Sequence, residues 1–447
     1  MRAITQYLQE RGYTCVPDSY YSYIDLWQKW YKGKVPSVHS YSQYNGKKKI
    51  RRTRKSLGLG KTIPEDWANL LLNEKVNFSL KTKKQQIKIE EILRANEFYC
   101  KGNNLVELTF ALGTGAFVEF MDGEDLHIDY IRAGMIYPLT WDNGRITECA
   151  FASERVSGKK KMVYLNIHRR EKGKYVIENR LFERNGTALT VVDLPEGVMP
   201  QVKTGSSIPR FQILTPNIAN NIDSDCPLGI SVYANALDQF ETADIIFDSY
   251  ANEYRLGKKR ITVPITMARA QMEEDGTVTP VFDDADTEFY AVPQDDKGEN
   301  KIQEHNMELR SAAHSTGIQD ILNLVSWKCG FGMKRYKFTN GDMKTATEVI
   351  SDNSDLYRNM RKHEQHLTNA LTGLINAICD MLHLGKAELT ISYDDSIIED
   401  TDKERGIDRQ DVRDGIMQPY EYRMKWYAED EQTAKSKVGA GVGLRLE

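Results

Sequence analysis

Three stretches of the sequence carry residue types that could do chemistry. SLGLGKT at 56–62 ends in Gly60-Lys61-Thr62, the close of a phosphate-binding loop. That loop, GxxxxGK[ST], cradles phosphates on backbone N–H groups at a strand-to-helix turn. Its first glycine would fall at position 55, which is Lys55, and the preceding residues are basic rather than an apolar strand. The segment therefore reads as a turn leading into the helix PEDWANLLLNEKV. His363-Glu364-Gln365-His366 is one residue short of the HExxH zinc signature. Its i, i+3 spacing could face a metal, but the glutamate is out of register and no third ligand stands nearby, so solvated polar residues on a long helix are expected. Asp283, Asp284, Asp286 and Glu288 lack the alternating ligands, central glycine and bidentate glutamate of a calcium loop, and read as a solvated or partner-facing acidic surface. No GxSxG elbow or local Cys/His pairing singles out a nucleophile. The sequence predicts no catalytic residue, no metal and no cofactor.

Two basic clusters suggest a different chemistry. Lys47, Lys48, Lys49, Arg51, Arg52, Arg54, Lys55 and Lys61 fall within 47–61, which holds no acid. Such a run can neutralise phosphates and release counterions without reading sequence. On charge alone it is equally a solvated loop. The second cluster, Lys334, Arg335, Lys337 and Lys344, lies in the glycine-rich GFGMKRYKFTNGDMK at 330–344, between two helical runs.

The elements that must position these residues change along the chain. Residues 1–90 read as helical, anchored by Tyr20, Tyr21, Trp27, Trp30, Tyr31 and Trp67. From about 105 to 216, runs such as LVELTFAL, AFVEFM and KMVYLNIHRR alternate with turns at Asp142-Asn143-Gly144, Asn185-Gly186 and Gly205-Ser206-Ser207, predicting antiparallel strands. From about 229 to 256 an apolar stripe through Tyr233, Phe240, Phe247 and Tyr254 predicts a helix capped by Gly257. Residues 271–304 then hold eleven acids against Lys297 and Lys301, a net of −9, among prolines and short strands. A second helix is predicted at about 308–329, and a third, the longest, at about 344–384, closed by Gly385. At a rise of about 1.5 Å per residue the third would reach on the order of 60 Å, which suits an assembly better than a compact domain. AELTISYDDSI at 387–397 returns as a strand, and the charged tail is helical on both sides of Pro419.

Composition agrees with a large folded chain. Its 447 residues are 40% hydrophobic and 28% charged, enough to bury a core in two to four domains. Sixty Lys and Arg against 64 Asp and Glu give a formal charge of −4, so attraction to nucleic acid must be local. The six cysteines form no CxxC pair and read as free thiols. No signal peptide and no apolar stretch of about 18 residues is apparent, so a chain neither exported nor membrane-inserted is expected.

Several segments, in this order, resemble the portal proteins of tailed bacteriophages, in particular those of siphophages of Gram-positive hosts. They are WQKWYKGKV at 27–35, SLGLGKTIPEDWANLLLNEKV at 56–76, DILNLVSWKCGF at 320–331, TATEVISDNSDLYRNMRKHEQHL at 345–367 and QDVRDGIMQPYEYRMKWYAEDEQTAK in the tail. The resemblance implies an α+β portal fold divided into a wing at 1–228, a stem helix at 229–256, a clip at 257–307, a second stem helix at 308–330, a tunnel loop at 331–343, the wing's long kinked helix and returning strand at 344–397, and a crown at 398–447. It also implies a ring, usually of twelve subunits, at one capsid vertex, assembled in the host cytoplasm with capsid and scaffold proteins. Double-stranded DNA would be packaged and ejected through the ring. Its clip would dock the terminase large subunit and later the head-to-tail adaptor, and ATP hydrolysis would belong to the terminase. Lys334, Arg335, Lys337 and Lys344 would face DNA from the tunnel loop. Lys47, Lys48, Lys49, Arg51, Arg52 and Arg54 form a second possible DNA-facing patch, and Asp283, Asp284, Asp286 and Glu288 a docking surface. The alternative is a DNA-binding packaging accessory or enzyme that uses the basic 47–61 segment.

Overall fold

The first helices form because large apolar residues recur every three or four positions. In α2 (Asp18–Tyr31), which follows α1 (Ala3–Glu10), Tyr20, Tyr21, Ile24, Trp27 and Trp30 are buried on one face. The computed structural model describes residues 3–44, 48–73, 75–158, 160–186, 188–264, 271–272, 278–279, 289–292, 302–338, 346–393, 401–427 and 429–439. The basic run departs from the helical expectation. After the single turn α3 (Pro36–His39), the chain forms a hairpin of β1 (Ser40–Tyr44) and β2 (Lys49–Thr53), paired from Ser40 with Thr53 to Tyr44 with Lys49. A helix would stack these like charges on one face, whereas a strand sends neighbours to opposite sides, and burial alternates along β2 accordingly. Then come α4 (Leu59–Leu71), β3 (Asn77–Leu80), α5 (Lys83–Ala95) and α6 (Phe98–Leu112).

The end of α6 is LVELTFAL, expected as a strand. Leu105, Val106, Glu107, Thr109, Phe110, Ala111 and Leu112 are all buried, so the helix is covered almost all round and shows no 3.6-residue polar rhythm. The β region follows as expected. One sheet has the order β12 (Phe211–Leu214), β4 (Gly115–Asp122), β5 (Asp125–Arg132). The other runs β10 (Ala188–Val192), β9 (Lys174–Asn185), β8 (Lys160–Glu171), β7 (Arg145–Ser157), β6 (Ile136–Asp142), with β11 (Gln201–Lys203) also on β9. Asn143 and Gly144 both take positive φ at the tight turn between β6 and β7.

The next helix begins later than the stripe suggested. α7 spans Leu237–Leu256, because residues 229–232 spend their donors on another segment. Gly229 N–H goes to Thr114 Oγ1 (3.0 Å), Val232 N–H to the Phe110 carbonyl (2.9 Å) and Ser231 Oγ to that same carbonyl (3.3 Å). Gly113 ends α6 at φ +88, and a Cβ there would lie 2.3 Å from the Gly229 oxygen, while one on Gly229 would lie 2.4 Å from the Gly113 oxygen. Two backbones meet here with no room for a side chain. Gly257 follows α7 at φ −78, not in the left-handed form of a glycine cap. Crowding explains it instead, since a Cβ at Gly257 would lie 2.4 Å from Leu309 Cδ2 and 2.6 Å from the Glu253 carbonyl oxygen.

α7 packs on α8 (Ser311–Lys328), and the excursion between them holds β13 (Arg260–Pro264), β14 (Gln271–Met272), β15 (Val278–Thr279), β16 (Phe289–Val292) and β17 (Gln303–His305). β13 is central, parallel to β16 and antiparallel to β17. α9 (Ala346–Met381) is the expected long helix, 36 residues, and β18 (Leu389–Ser392) returns to pair with β3. The tail forms α10 (Thr401–Arg413), α11 (Pro419–Tyr427) and α12 (Glu431–Gly439), with Pro419 opening α11, where its missing N–H costs nothing. All six cysteines are free.

The glycine crossing gives a direct test. Gly113→Ala combines left-handed strain with a backbone collision and should cost at least about 3 kcal/mol. Gly123→Ala, at φ +63 with open space around it, should cost only about 1 kcal/mol. Urea unfolding midpoints compare the two, and equal losses would show that the crossing yields easily.

Candidate nucleic-acid and assembly surfaces

The basic hairpin rests on two buried carboxylates one turn apart on α7. Asp248 Oδ1 accepts the Lys55 backbone N–H (3.1 Å), and its Oδ2 accepts from the Tyr41 hydroxyl (3.1 Å) and Asn252 (3.2 Å). Asp244 Oδ1 accepts the Leu57 N–H (2.7 Å), and its Oδ2 meets His39 Nε2 at 2.9 Å. His39 Nδ1 accepts the Val35 N–H (2.8 Å), so its proton sits on Nε2 and points at Asp244. Sequence reasoning missed this pair of acids, although their i, i+4 spacing inside an apolar stripe was a usable signal. On β2, Lys49 and Arg51 face outward while Arg52 is half-buried. Arg54 donates to the Val38 carbonyl and lies over the Tyr41 ring at 5.2 Å. Lys48 is exposed, and Lys47 lies outside the described residues.

Gly60-Lys61-Thr62 sits in the first turns of α4 as a packing feature. A Cβ on Gly60 would lie 2.4 Å from the Trp30 oxygen. Lys61 is held by Glu107 (2.6 Å) and Glu65 (3.1 Å), and Tyr31 also donates to Glu107 (2.5 Å). Of the HEQH residues, Gln365 is exposed and His366 half-buried, but His363 and Glu364 are not solvated as expected. His363 and Glu364 are buried, because this face of α9 lies against α4 and α6. His363 Nδ1 accepts the Asn217 N–H (3.0 Å), and its ring meets Trp67 and Phe110 edge-on at 4.7 and 4.9 Å. Burial pushes its pKa down to about 3. Glu364 pairs with Arg361 at 3.0 Å. Among the described residues no three potential metal ligands cluster.

The basic loop after α8 has a fixed base. Trp67 Nε1 donates to the Cys329 carbonyl (3.0 Å), its ring stacks on Phe331 (4.6 Å), and Asn359 of α9 donates to the Gly330 carbonyl (2.9 Å). Tyr336 donates to Asp66 (2.9 Å), while the Gln319 amide bridges the Tyr336 carbonyl (2.9 Å) and the Phe338 N–H (2.8 Å). From this base Lys334, Arg335 and Lys337 are exposed. Arg335 lies over Phe331 at 5.7 Å, with Nε 3.8 Å from Asp66. Lys344 lies outside the described residues, as do Asp283, Asp284, Asp286 and Glu288.

At the far end of the helix pair, Glu253 binds the Arg310 guanidinium (2.8 and 3.0 Å) and backbone N–H (3.2 Å), with His314 at 3.6 Å. Arg310 in particular holds the Glu253 carboxyl down at about 2, against 4.5 ordinarily.

The class of protein is given by the family that the sequence matches, the structural proteins of bacteriophage particles. The family profile described as "Phage portal protein, SPP1 Gp6-like" matches residues 17–435, and the chain belongs to that family. The family is structural rather than enzymatic, and membership implies an oligomeric ring, partners in packaging, and a place at a capsid vertex. Comparison with curated proteins returned no match. Among the described residues no helix is long and apolar enough to cross a membrane.

Two outcomes follow from this geometry. Asp248→Ala strands the Lys55 N–H and the Tyr41 hydroxyl, both only part-buried, so each should cost about 1 kcal/mol, the low end for an orphaned group. Trypsin cleavage after Arg51, Arg52 or Arg54 in the native protein should accelerate at least about tenfold. An unchanged rate would mean that other contacts hold the hairpin. Because the folded pKa of Glu253 is depressed, its contribution is full above about 4.5 and disappears as pH falls toward about 2. Arg310→Gln should flatten that part of the acid-unfolding curve followed by circular dichroism, and an unaltered slope would exclude this pair as its source.

Proposed function

We propose that the chain assembles into a ring, of twelve copies by the family pattern, that forms the DNA channel of the portal vertex. Genome packaging and ejection pass through it, and the ring acts as a structural part without catalysis of its own. The observation that carries this reading is the order of elements: paired helices flanking an acidic excursion, then a basic loop with a fixed base, then a helix of 36 residues. On this reading α7 and α8 are the stem, residues 257–307 the clip, 331–343 the tunnel loop, 1–228 with α9 and β18 the wing, and α10 to α12 the crown. Two amphipathic helices per subunit bury their stripes fully only against neighbours, and head-to-tail contacts that close about an axis provide them.

Lys334, Arg335, Lys337 and Lys344 would then reach phosphates from the tunnel loop, without sequence readout. The acids Asp283, Asp284, Asp286 and Glu288 would serve the terminase large subunit and later the head-to-tail adaptor. Capsid and scaffold proteins would surround the wing. The accessory-enzyme alternative built on 47–61 loses support from Lys61, which Glu107 and Glu65 engage within a helix.

Lys334→Ala/Arg335→Ala/Lys337→Ala should leave rings intact in negative-stain images, because Arg335 alone of these side chains touches the loop base, over the Phe331 ring and through the long Asp66 contact, and the Trp67, Asn359 and Gln319 hydrogen bonds that fix the base remain. DNA retained per assembled head should fall several-fold. Full DNA content in intact heads would remove the loop from the channel, and absence of rings under every assembly condition, scaffold included, would remove the channel itself.

A further inference from the structure

Behind the basic hairpin, between its inner face and the last turns of α7, lies a cleft of about 430 Å³. Its walls include Arg52, Lys55 and Arg255, with Tyr41 and Tyr254 as aromatic sides and Asp248 as the one carboxylate among the described residues that line it. The charge in this cleft is not balanced internally. Both oxygens of Asp248 are occupied by the Lys55 backbone N–H, the Tyr41 hydroxyl and the Asn252 amide, all neutral donors. None of the three cations has an ion pair with a described carboxylate. Arg52 lines the cleft, and its Nε is buried with no hydrogen-bond partner among the described residues, an arrangement that costs free energy unless an acceptor reaches it. A guanidinium presents a planar fork that matches two oxygens of a tetrahedral anion, and two further cations lie on the same walls.

We propose that this cleft is a phosphate-binding site, with Arg52 as the inner ligand and Arg255 and Lys55 closing over the anion. The tyrosine walls leave room for an organic group attached to the phosphate, so the source is either a phosphate of the DNA backbone or a free phosphate such as a nucleotide. The site does not depend on the ring or on the tunnel loop. It uses the inward side of β2, whereas Lys49 and Arg51 are exposed on the outward side, where Arg51 Nε donates to Ser40 Oγ (2.8 Å).

The test is titration of the full-length chain with inorganic pyrophosphate by isothermal calorimetry at low ionic strength, followed by competition with a short DNA duplex and with ATP. One saturable site per chain is expected. Arg255→Gln, at an exposed position that leaves folding intact, should weaken it at least about tenfold. Arg52→Gln should abolish it, and Arg52→Lys should restore part, since charge returns without the fork. Lys49→Gln/Arg51→Gln should alter affinity less than about twofold. Displacement by the duplex identifies the DNA backbone as the source, and displacement by ATP alone identifies a free nucleotide. Absence of saturable pyrophosphate binding in the unsubstituted chain would overturn the site, as would equal losses from the inner and outer pairs of substitutions. Either result would leave ring assembly, and with it the channel reading, untouched.

Discussion

The indole of Trp67 is the contact on which the arrangement of the helices depends. It is fully buried, stacks on Phe331 and on Phe110, and meets His363 edge-on, so one ring joins α4, α6, the exit of α8 and α9. A buried indole needs an acceptor for its N–H, and the one it finds is the Cys329 carbonyl at the turn leaving α8. That turn is equally constrained from the other side. Gly330 sits at φ +90 with its Cβ position 3.2 Å from the indole, and its carbonyl is taken by Asn359. The base of the loop therefore cannot shift without moving the indole, the long helix or both. In a close-packed interior such movement is stepwise rather than gradual.

A second constraint comes from carboxylates used as acceptors for neutral donors. Asp244 and Asp248 lie on the inner face of α7 beside Phe240 and Ala243, where an apolar stripe would be expected. Buried charge is costly unless several donors converge on it, and here backbone N–H groups, a tyrosine, an asparagine and a neutral histidine do so. The consequence is positional. A run of cations that would repel one another on a helix is folded as a hairpin and fixed at its root by charges it does not neutralise.

Much of this was legible in the sequence, and the misreadings share a cause. The long helix, the hairpins marked by Asn-Gly turns, the strand after Gly385 and the helices around Pro419 announce themselves by local periodicity and turn chemistry. LVELTFAL did not, because a helix covered on all sides loses the polar positions that reveal its period. The basic run did not, because charge conceals alternation when an inward residue, Arg52 beside Ile50, is itself an arginine. The start of α7 was displaced by a crossing of two glycine-bearing segments more than a hundred residues apart, which no window along the chain contains. His363 read as solvated for the same reason, since the Trp67 and Phe110 rings that cover it come from elsewhere in the sequence. The cleft behind β2 was invisible as a unit, although Arg52 stood out as part of a cluster.

The distribution of pairing separates cations that build the fold from cations left available. Lys61 lies against Glu107, only 8% exposed, and Glu65, so its charge is consumed in holding α4 to α6. Arg310 is likewise engaged by Glu253. Arg52, Lys55 and Arg255 surround a single carboxylate whose oxygens are already filled by neutral donors, and three cations against one anion leave positive charge in excess at close range. With a screening length of about 8 Å at physiological salt, the acids elsewhere on a chain of net charge −4 cannot offset these groups from a distance. Local pairing, rather than net charge or the density of Lys and Arg along the sequence, therefore decides where this protein can hold an anion.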